Sequence, residues 1–314
     1  MKLLSVVIAL YNEAENIPGL LKQITTALQQ LDYEIILVDD GSTDASVTTI
    51  KKHLQPDIRL IVLRKNYGQS AAMAAGIDAA GGEFIATMDA DLQNDPSDIP
   101  IMLEKIMAED WELIAGIREK RQDNLLRTIP SRIANKLIRN TTGVTLHDYG
   151  CTLKVFRNDT AKNLGLYGDM HRFIPVLAAL QGAKMTEIPV KHHPRIYGKS
   201  KYGIGRTIFV LSDLLLIMFM QKYFQRPMHI FGPAGLLLFF LGLIINGYLL
   251  ALKLQGQHIG GRPLLLLGVI LLLAGLQLIL FGFVAEILMR TYYESQQKKA
   301  YRIRSVIEYT NTTT

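Results

Sequence analysis

A single cysteine, Cys151, in 314 residues leaves no partner for an internal disulfide. That excludes the small stapled secreted folds and suits a reducing compartment, with Cys151 expected as a small packed hydrophobe. Tryptophan is as scarce, represented by Trp111 alone. The most informative shortage is of charge: no Asp, Glu, Lys or Arg stands between Pro227 and Leu252, or between Pro263 and Ala285. Each run is long enough to cross a hydrocarbon layer about 30 Å thick, so two transmembrane helices are expected rather than a pair of buried core helices. Internal repeats are absent, and low complexity is confined to the polar tail "YTNTTT", expected to be disordered.

Charge returns at the flanks of these runs. Arg206, Lys222 and Arg226 precede the first, and Arg290, Lys298, Lys299, Arg302 and Arg304 follow the second, against only Lys253 and Arg262 in the connecting "KLQGQHIGGR". By the positive-inside rule both ends face the cytoplasm and the loop faces out. The formal net charge of +6 therefore reads as attraction to anionic lipid, with no nucleic acid implied. At the other end, "MKLLSVVIAL" lacks a small-residue cleavage site and runs straight into "YNEAEN", so it reads as a buried first strand.

Short apolar runs of strand length occur at Leu4–Leu10, Tyr33–Val38, Ile58–Leu63, Glu83–Met88 and Trp111–Gly116, each followed by a polar turn and a helical pattern. The first helix shows one apolar face in Leu20, Leu21, Ile24, Leu28 and Leu31, with Pro18 in its first turn. Further strand-like pieces lie at Cys151–Phe156 and Lys184–Val190. Strands alternating with helices imply an α/β fold, with a mostly parallel sheet flanked by helices. The apolar segment Ile204–Met220, with Asp213 as its only acid, is expected to rest as an amphipathic helix in the membrane interface or to pack beneath the membrane helices. The expected division is a catalytic domain over 1–200, a juxtamembrane segment over 201–226, a two-helix hairpin over 227–289 and a cytoplasmic tail over 290–314.

Parallel sheets bind ligands outside the carboxyl ends of their strands. Three such ends carry acids: "IALYNEAEN", "ILVDDGSTD" and "ATMDADLQND". Glu13, Asp39, Asp40, Asp89 and Asp91 are thus placed to converge on one crevice, with Asp95 and Asp98 just beyond. Crowded carboxylates repel unless a cation sits among them. Mg²⁺ suits such a place, since one or two carboxylates plus substrate phosphates usually hold it, and Mn²⁺ takes the same oxygen ligands. Asp39 and Asp40 can also accept hydrogen bonds from a base N–H or from ribose hydroxyls.

Rival motifs fail on inspection. An EF-hand beginning at Asp89 needs Gly where Asn94 stands and Glu where Pro100 stands. "GKS" at Gly198–Ser200 imitates the end of a phosphate loop, but His193 occupies the position of its first Gly, and no G-x-G-x-x-G follows the first strand.

"SVVIALYNEAENI", "ILVDDGSTDAS", "LRKNYGQSAAMAAGI", "MDADLQNDPSDIP", "HDYGC", "RFIP" and "RIYGKSKY" together resemble the inverting family 2 glycosyltransferases of GT-A fold that load a sugar onto polyprenyl phosphate. The nearest subgroups in these motifs are the bactoprenol glucosyltransferases and the undecaprenyl-phosphate aminoarabinose transferases, with dolichyl-phosphate mannose synthase as a cousin. The likeness runs from about Ser5 to Glu286. It implies that Glu13, Asp39 and Asp40 bind the nucleoside, and that Asp89, Asp91 and Gln93 hold Mg²⁺ or Mn²⁺ and the diphosphate. It implies that Arg118 and Arg132 contact phosphates, that Asp148 lies near sugar or acceptor as base or orienting group, and that Arg195, Ser200 and Lys201 complete the site from a mobile segment.

Tyr67, Gly68 and Gln69 are implied at a helix start facing the crevice. For Arg121 a solvated basic face is as good a reading, and for His171 helix-start packing is as good as ligation; His192 and His193 lack metal-ligand company. The resemblance also implies a nucleotide-sugar donor, favouring UDP, and a place in the bacterial cytoplasmic membrane. It favours a tetramer, and the polar Asn246 and Gln277 within the spans call for partners from other protomers.

Two other functions compete. A processive polysaccharide synthase would carry Q-x-x-R-W and usually more spans, whereas the only tryptophan here is expected inside a strand. A non-catalytic nucleotide-sugar-binding scaffold would usually have lost metal ligands, whereas all the expected acids are present.

Overall fold

The computed structural model describes residues 2–118, 144, 146–166, 168, 170–196 and 226–295. Arg121, Arg132, Ser200 and Lys201, nearly all of the segment 201–226 and everything past Ser295 lie outside them. The chain divides into two compact units, Met1–Leu214 and Leu215–Thr314.

In the first unit, β1 (Leu4–Leu10), β2 (Tyr33–Asp39), β3 (Ile58–Val62), β4 (Phe84–Asp89), β5 (Leu113–Arg118), β6 (Lys154–Arg157) and β7 (Met185–Val190) form one sheet. Its order is β3-β2-β1-β4-β6-β5-β7. β1 pairs in parallel with β2 and β4, β2 with β3, and β5 with β7, while β6 runs antiparallel to both β4 and β5. The near-continuous apolar runs of β1 and β2 reflect cover on both faces, as parallel strands require.

Helices α1 (Ile17–Leu28), α2 (Ser46–Lys52), α3 (Gln69–Ala79), α4 (Asp98–Ala108), the short α5 (Asn158–Lys162) and α6 (Ile174–Leu180), with a 3₁₀ turn at Met170–Phe173, connect and cover these strands. α1 buries Ile17, Leu20, Leu21, Ile24 and Leu28. Each such side chain contributes about 1.5–3 kcal/mol by leaving water. Leu31 falls beyond the end of α1, its N–H donating to Leu28 O at 2.9 Å, yet it still packs against the same core.

Trp111, expected within a strand, instead precedes β5. Its indole and backbone N–H groups both donate to Glu109, and its carbonyl accepts from Arg157 Nε at 3.0 Å, which fixes it in a turn. Cys151 is buried in the core, and burial pushes its thiol up.

The parallel strands bring the ends of β1, β2, β4 and β5 to one edge of the sheet. Because β6 runs the other way, its first residue, Lys154, and the loop before it arrive at that same edge, with Thr87 opposite Lys154 in the ladder.

In the second unit, α7 (Met228–Leu254) and α8 (Pro263–Ser295) are long and apolar enough to cross a membrane. Only 17% and 11% of their most apolar windows are buried within the chain, whereas a water-soluble core helix would be covered. α8 stays helical to Ser295, well past the last residue of its uncharged run, because a helix does not end where lipid ends.

The two helices touch through small residues. A Cβ at Gly275 would lie 2.5 Å from Phe239 N and 2.6 Å from Gly235 O, and one at Gly242 would lie 2.7 Å from Leu272 N and 2.8 Å from Gly268 O. Pro233 sits inside α7, as membrane helices tolerate.

Candidate active site

The crevice begins where β1 and β2 end. Asn12 adopts a left-handed φ of 54°, a conformation Asn accepts more readily than most residues. Its N–H donates to Ser42 Oγ at 2.8 Å and its side-chain oxygen accepts from Thr43 N at 2.8 Å, stitching the two loops together. Glu13 N donates to Ser46 Oγ at 2.9 Å, and one Glu13 carboxylate oxygen accepts from Asn16 Nδ2 at 2.6 Å.

Asp39 is fully buried. Its Oδ2 accepts from Ser42 N at 3.0 Å, while Oδ1 has no hydrogen-bond partner among the described residues. A buried acceptor left open costs about 1–3 kcal/mol. An N–H or O–H donor placed there would remove that cost. Asp40 is spent differently, both oxygens accepting backbone N–H groups, from Tyr67 at 2.7 Å and Gly68 at 2.9 Å. That anchors the loop leading into α3 at Gln69. Gln69 Nε2 in turn donates to Asp89 Oδ1 at 2.8 Å, tying the first wall of the crevice to the second.

The second wall starts at the end of β4. Asp89 Oδ2 accepts from Thr152 Oγ1 at 2.7 Å, and Asp91 Oδ2 accepts from Arg195 Nη2 at 2.6 Å. Burial, then the charge of Asp91, push the Asp89 carboxyl up to about 6 against the pull of Thr152, Lys154 and Arg118. Burial also raises Asp91, opposed chiefly by Arg195.

The turn that presents these acids contains Leu92 at φ 60°, which costs a bulky residue about 1–3 kcal/mol. Leu92 is buried in the main core with Cδ1 against Gly19. Core packing of that side chain, worth about 1.5–3 kcal/mol, offsets the strain and holds the turn.

Two cations stand behind the acids. At the end of β5, Arg118 grips Asp148 with two donors, Nε to Oδ2 at 2.7 Å and Nη2 to Oδ1 at 2.9 Å. Lys154, 1% exposed, donates to the carbonyl of Cys151. Burial lowers its pKa, and Asp148 and Asp89 are among the groups that hold it up.

Residues 5–165 match the family described as glycosyl transferase family 2, and they include every strand end just described except that of β7. The chain belongs to that family. Dodecaprenyl-phosphate galacturonate synthase of Rhizobium johnstonii is 45% identical to this glycosyltransferase, the match covering 97% of this chain and 93% of the relative. Undecaprenyl-phosphate 4-deoxy-4-formamido-L-arabinose transferase of Sodalis glossinidius is 34% identical over 96% and 93% of the two chains. Among solved structures, glucosyl-3-phosphoglycerate synthase from Mycobacterium tuberculosis with Mg²⁺ and uridine diphosphate superposes with a TM-score of 0.54. It is 13% identical over 70% of this chain and 79% of that one, a likeness of fold.

Of the residues that the sequence puts in the site, Glu13, Asp39, Asp40, Asp89, Asp91, Gln93, Asp148, Arg118 and Arg195 all lie at the carboxyl edge of the transferase sheet or on the loops that continue it. His171 packs on α3, with Nδ1 2.9 Å from Ser70 Oγ and its backbone N–H donating to the same oxygen at 3.0 Å.

Lys154 and Thr152 escape sequence reasoning. One reads as a charge in an apolar run and the other as an ordinary loop hydroxyl; the only signal was a lysine at an inward strand position. His193 also escapes, its Nε2 lying 3.1 Å from Asp95 Oδ2.

Proposed function

We propose that this family 2 glycosyltransferase moves a sugar from a nucleoside diphosphate donor to a polyprenyl phosphate. The observation that carries the reading is the pair Asp89 and Asp91 on the turn after β4, beside Arg195, at one edge of a site whose other side carries Asp39, with Oδ1 unpartnered among the described residues. Asp39 takes a donor of the nucleoside, Glu13 borders it, and Asp40 keeps the loop before α3 in place.

Among the described residues no three His, Cys, Asp or Glu side chains gather as a cage for a metal. The buried Asp91 and the half-buried Asp89, the latter raised to about 6, nevertheless fit Mg²⁺ or Mn²⁺, whose remaining positions phosphate oxygens would fill. Asp89, Asp91 and Gln93 would hold that ion, which would supply positive charge against the leaving diphosphate.

The acceptor is a phosphate monoester, already largely ionised at neutral pH because its second pKa is about 6. It needs little help from a base, so Asp148 serves by holding the Nε and Nη2 side of Arg118, which fixes the guanidinium from which the remaining N–H groups would reach phosphate oxygens. Arg132, Ser200 and Lys201 add donors. An acceptor phosphate oxygen forms a bond to the anomeric carbon as the bond to the diphosphate oxygen breaks. The electron pair leaves with the nucleoside diphosphate, and configuration inverts.

The isoprenoid acceptor stays in the bilayer, and α7 and α8 keep the enzyme there, with residues 1–200 as the catalytic part. By the charges at their flanks, catalytic part and both termini are cytoplasmic, in the bacterial inner membrane. Gln277 is exposed on the span, and a second protomer shelters it, so the working form is oligomeric.

The 45% relative makes UDP-galacturonate the first donor to try. The test is transfer of label from UDP- and GDP-sugars to undecaprenyl and dodecaprenyl phosphate by the full chain in detergent, with and without EDTA. One donor giving EDTA-sensitive label in the lipid phase is expected, with NMR of the product showing inversion. Nucleotide binding without transfer from any donor would favour a binding scaffold instead.

A further inference from the structure

We infer that Arg195 holds the place of the metal ion in the unloaded site and releases Asp91 more readily when ion and diphosphate arrive together than to the ion alone. This rests on the reading above and concerns how the same site is loaded.

The chain leaving β7 does not wander off. It lies along the metal-binding turn, residue against residue. Asn94 and His192 pair as an antiparallel bridge, and His193 N donates to Gln93 O at 2.9 Å. Gln93 Nε2 donates back to His193 O at 3.4 Å, and His193 Nε2 lies 3.1 Å from Asp95 Oδ2. Lys191 N donates to Asp98 Oδ2 at 2.7 Å, and Lys191 Nζ to Ser97 Oγ at 2.9 Å. A segment so registered on residues 93–98 delivers its next side chain to a fixed place. That place is Asp91 Oδ2, 2.6 Å from Arg195 Nη2, with Gln93 Oε1 at 3.5 Å.

Arg195 thus touches two of the three residues assigned to the ion. The side chains of Arg195 and Asp91 are 25% and 10% exposed, so water does little to replace a lost partner. A divalent ion and a guanidinium compete for the same carboxylate. An ion arriving alone must take the carboxylate that Arg195 grips and set two cations against one acid, which is unfavourable. An ion arriving with a diphosphate brings the anion whose oxygens a guanidinium fork fits best. The exchange then trades one ion pair for another. Metal and nucleotide bind cooperatively, and the coupling resides in one side chain.

The experiment uses the full chain in detergent and follows free Mn²⁺ by its electron paramagnetic resonance signal, with and without UDP, in wild type, Arg195→Met and Arg195→Lys. Thermal melting checks that each variant is folded. In R195M, Mn²⁺ alone is expected to bind about fivefold or more tighter than in wild type, and the further gain on adding UDP is expected to shrink by a similar factor. R195K falls between, and if R195M melts early, R195K decides by the same sign.

Unchanged or weaker binding of Mn²⁺ alone in both variants, while wild type still takes up Mn²⁺ with UDP, overturns the inference and leaves the proposed function standing. No uptake by wild type under either condition overturns both.

Discussion

On the β1–β2 wall of the crevice, Glu13, Asp39, Asp40 and Asp44 accept hydrogen bonds from backbone and amide N–H groups. On the β4–β6 wall, Arg195 grips Asp91, Arg118 grips Asp148, and Lys154 lies buried nearby. Both walls are acidic in sequence, yet they solve repulsion by different means. Neutral donors leave a carboxylate with acceptor capacity to spare, as at Asp39 Oδ1, which has no partner among the described residues. Cations instead prepare a surface on which charge is exchanged. In the proposed function the first wall takes the uncharged end of a nucleotide, and the second its phosphates and their ion.

The comparison breaks most visibly at Asp91. Asp91→Asn is expected to lower transfer to lipid by at least about a hundredfold and to abolish Mn²⁺ uptake in the presence of UDP, read by the same resonance signal. Asp39→Asn acts on the other wall. It should weaken UDP binding by about ten- to a hundredfold, the scale of one hydrogen bond to a charged group, measured calorimetrically. At saturating UDP, Mn²⁺ uptake is expected to persist. Loss of Mn²⁺ by the Asp39 variant under those conditions would erase the distinction between the walls.

Smaller effects sharpen it. Asp89 has a folded pKa near 6, above its ordinary 3.8. Its contribution to stability is therefore intact below about pH 3.8 and lost as pH rises through 6. Metal-free wild type should gain melting temperature from pH 7 to pH 5 relative to Asp89→Asn, which lacks that proton. Saturating Mn²⁺ and UDP should remove the difference. Thr152→Val deletes the hydroxyl that donates to Asp89. It is expected to move that pH midpoint upward and to weaken Mn²⁺–UDP binding by about fivefold, the worth of one ordinary hydrogen bond.

Much of this was legible in the residues, for identifiable reasons. Apolar runs of four to seven residues ending in acids announce buried parallel strands, so the ends of β1, β2 and β4 lie within a residue of expectation. Direction is another matter. An apolar run looks the same read either way, so nothing in "CTLKVF" reveals that β6 is antiparallel and turns Lys154 toward the acids. The pairing of Asn94 with His192 joins residues nearly a hundred positions apart, and no local pattern encodes such a match. Trp111 looked like strand because aromatics favour strands, but its bonds to Glu109 prevailed. Asp40 and Asp39 are indistinguishable as letters. Only the fold shows that one is occupied by Tyr67 and Gly68 while the other has an oxygen without a partner among the described residues.

Leu92 joins two properties that are usually inherited separately. Its side chain belongs to the core beside Gly19, and its backbone sets the turn between Asp91 and Gln93. A lesion that loosens the packing near α1 is thereby expected to free the turn and to weaken the hold on the proposed ion, with none of its proposed ligands altered. In a mutant collection, such alleles would be heat-sensitive yet suppressed by extra Mg²⁺ or Mn²⁺ in the medium, and they would map to the hydrophobic interior.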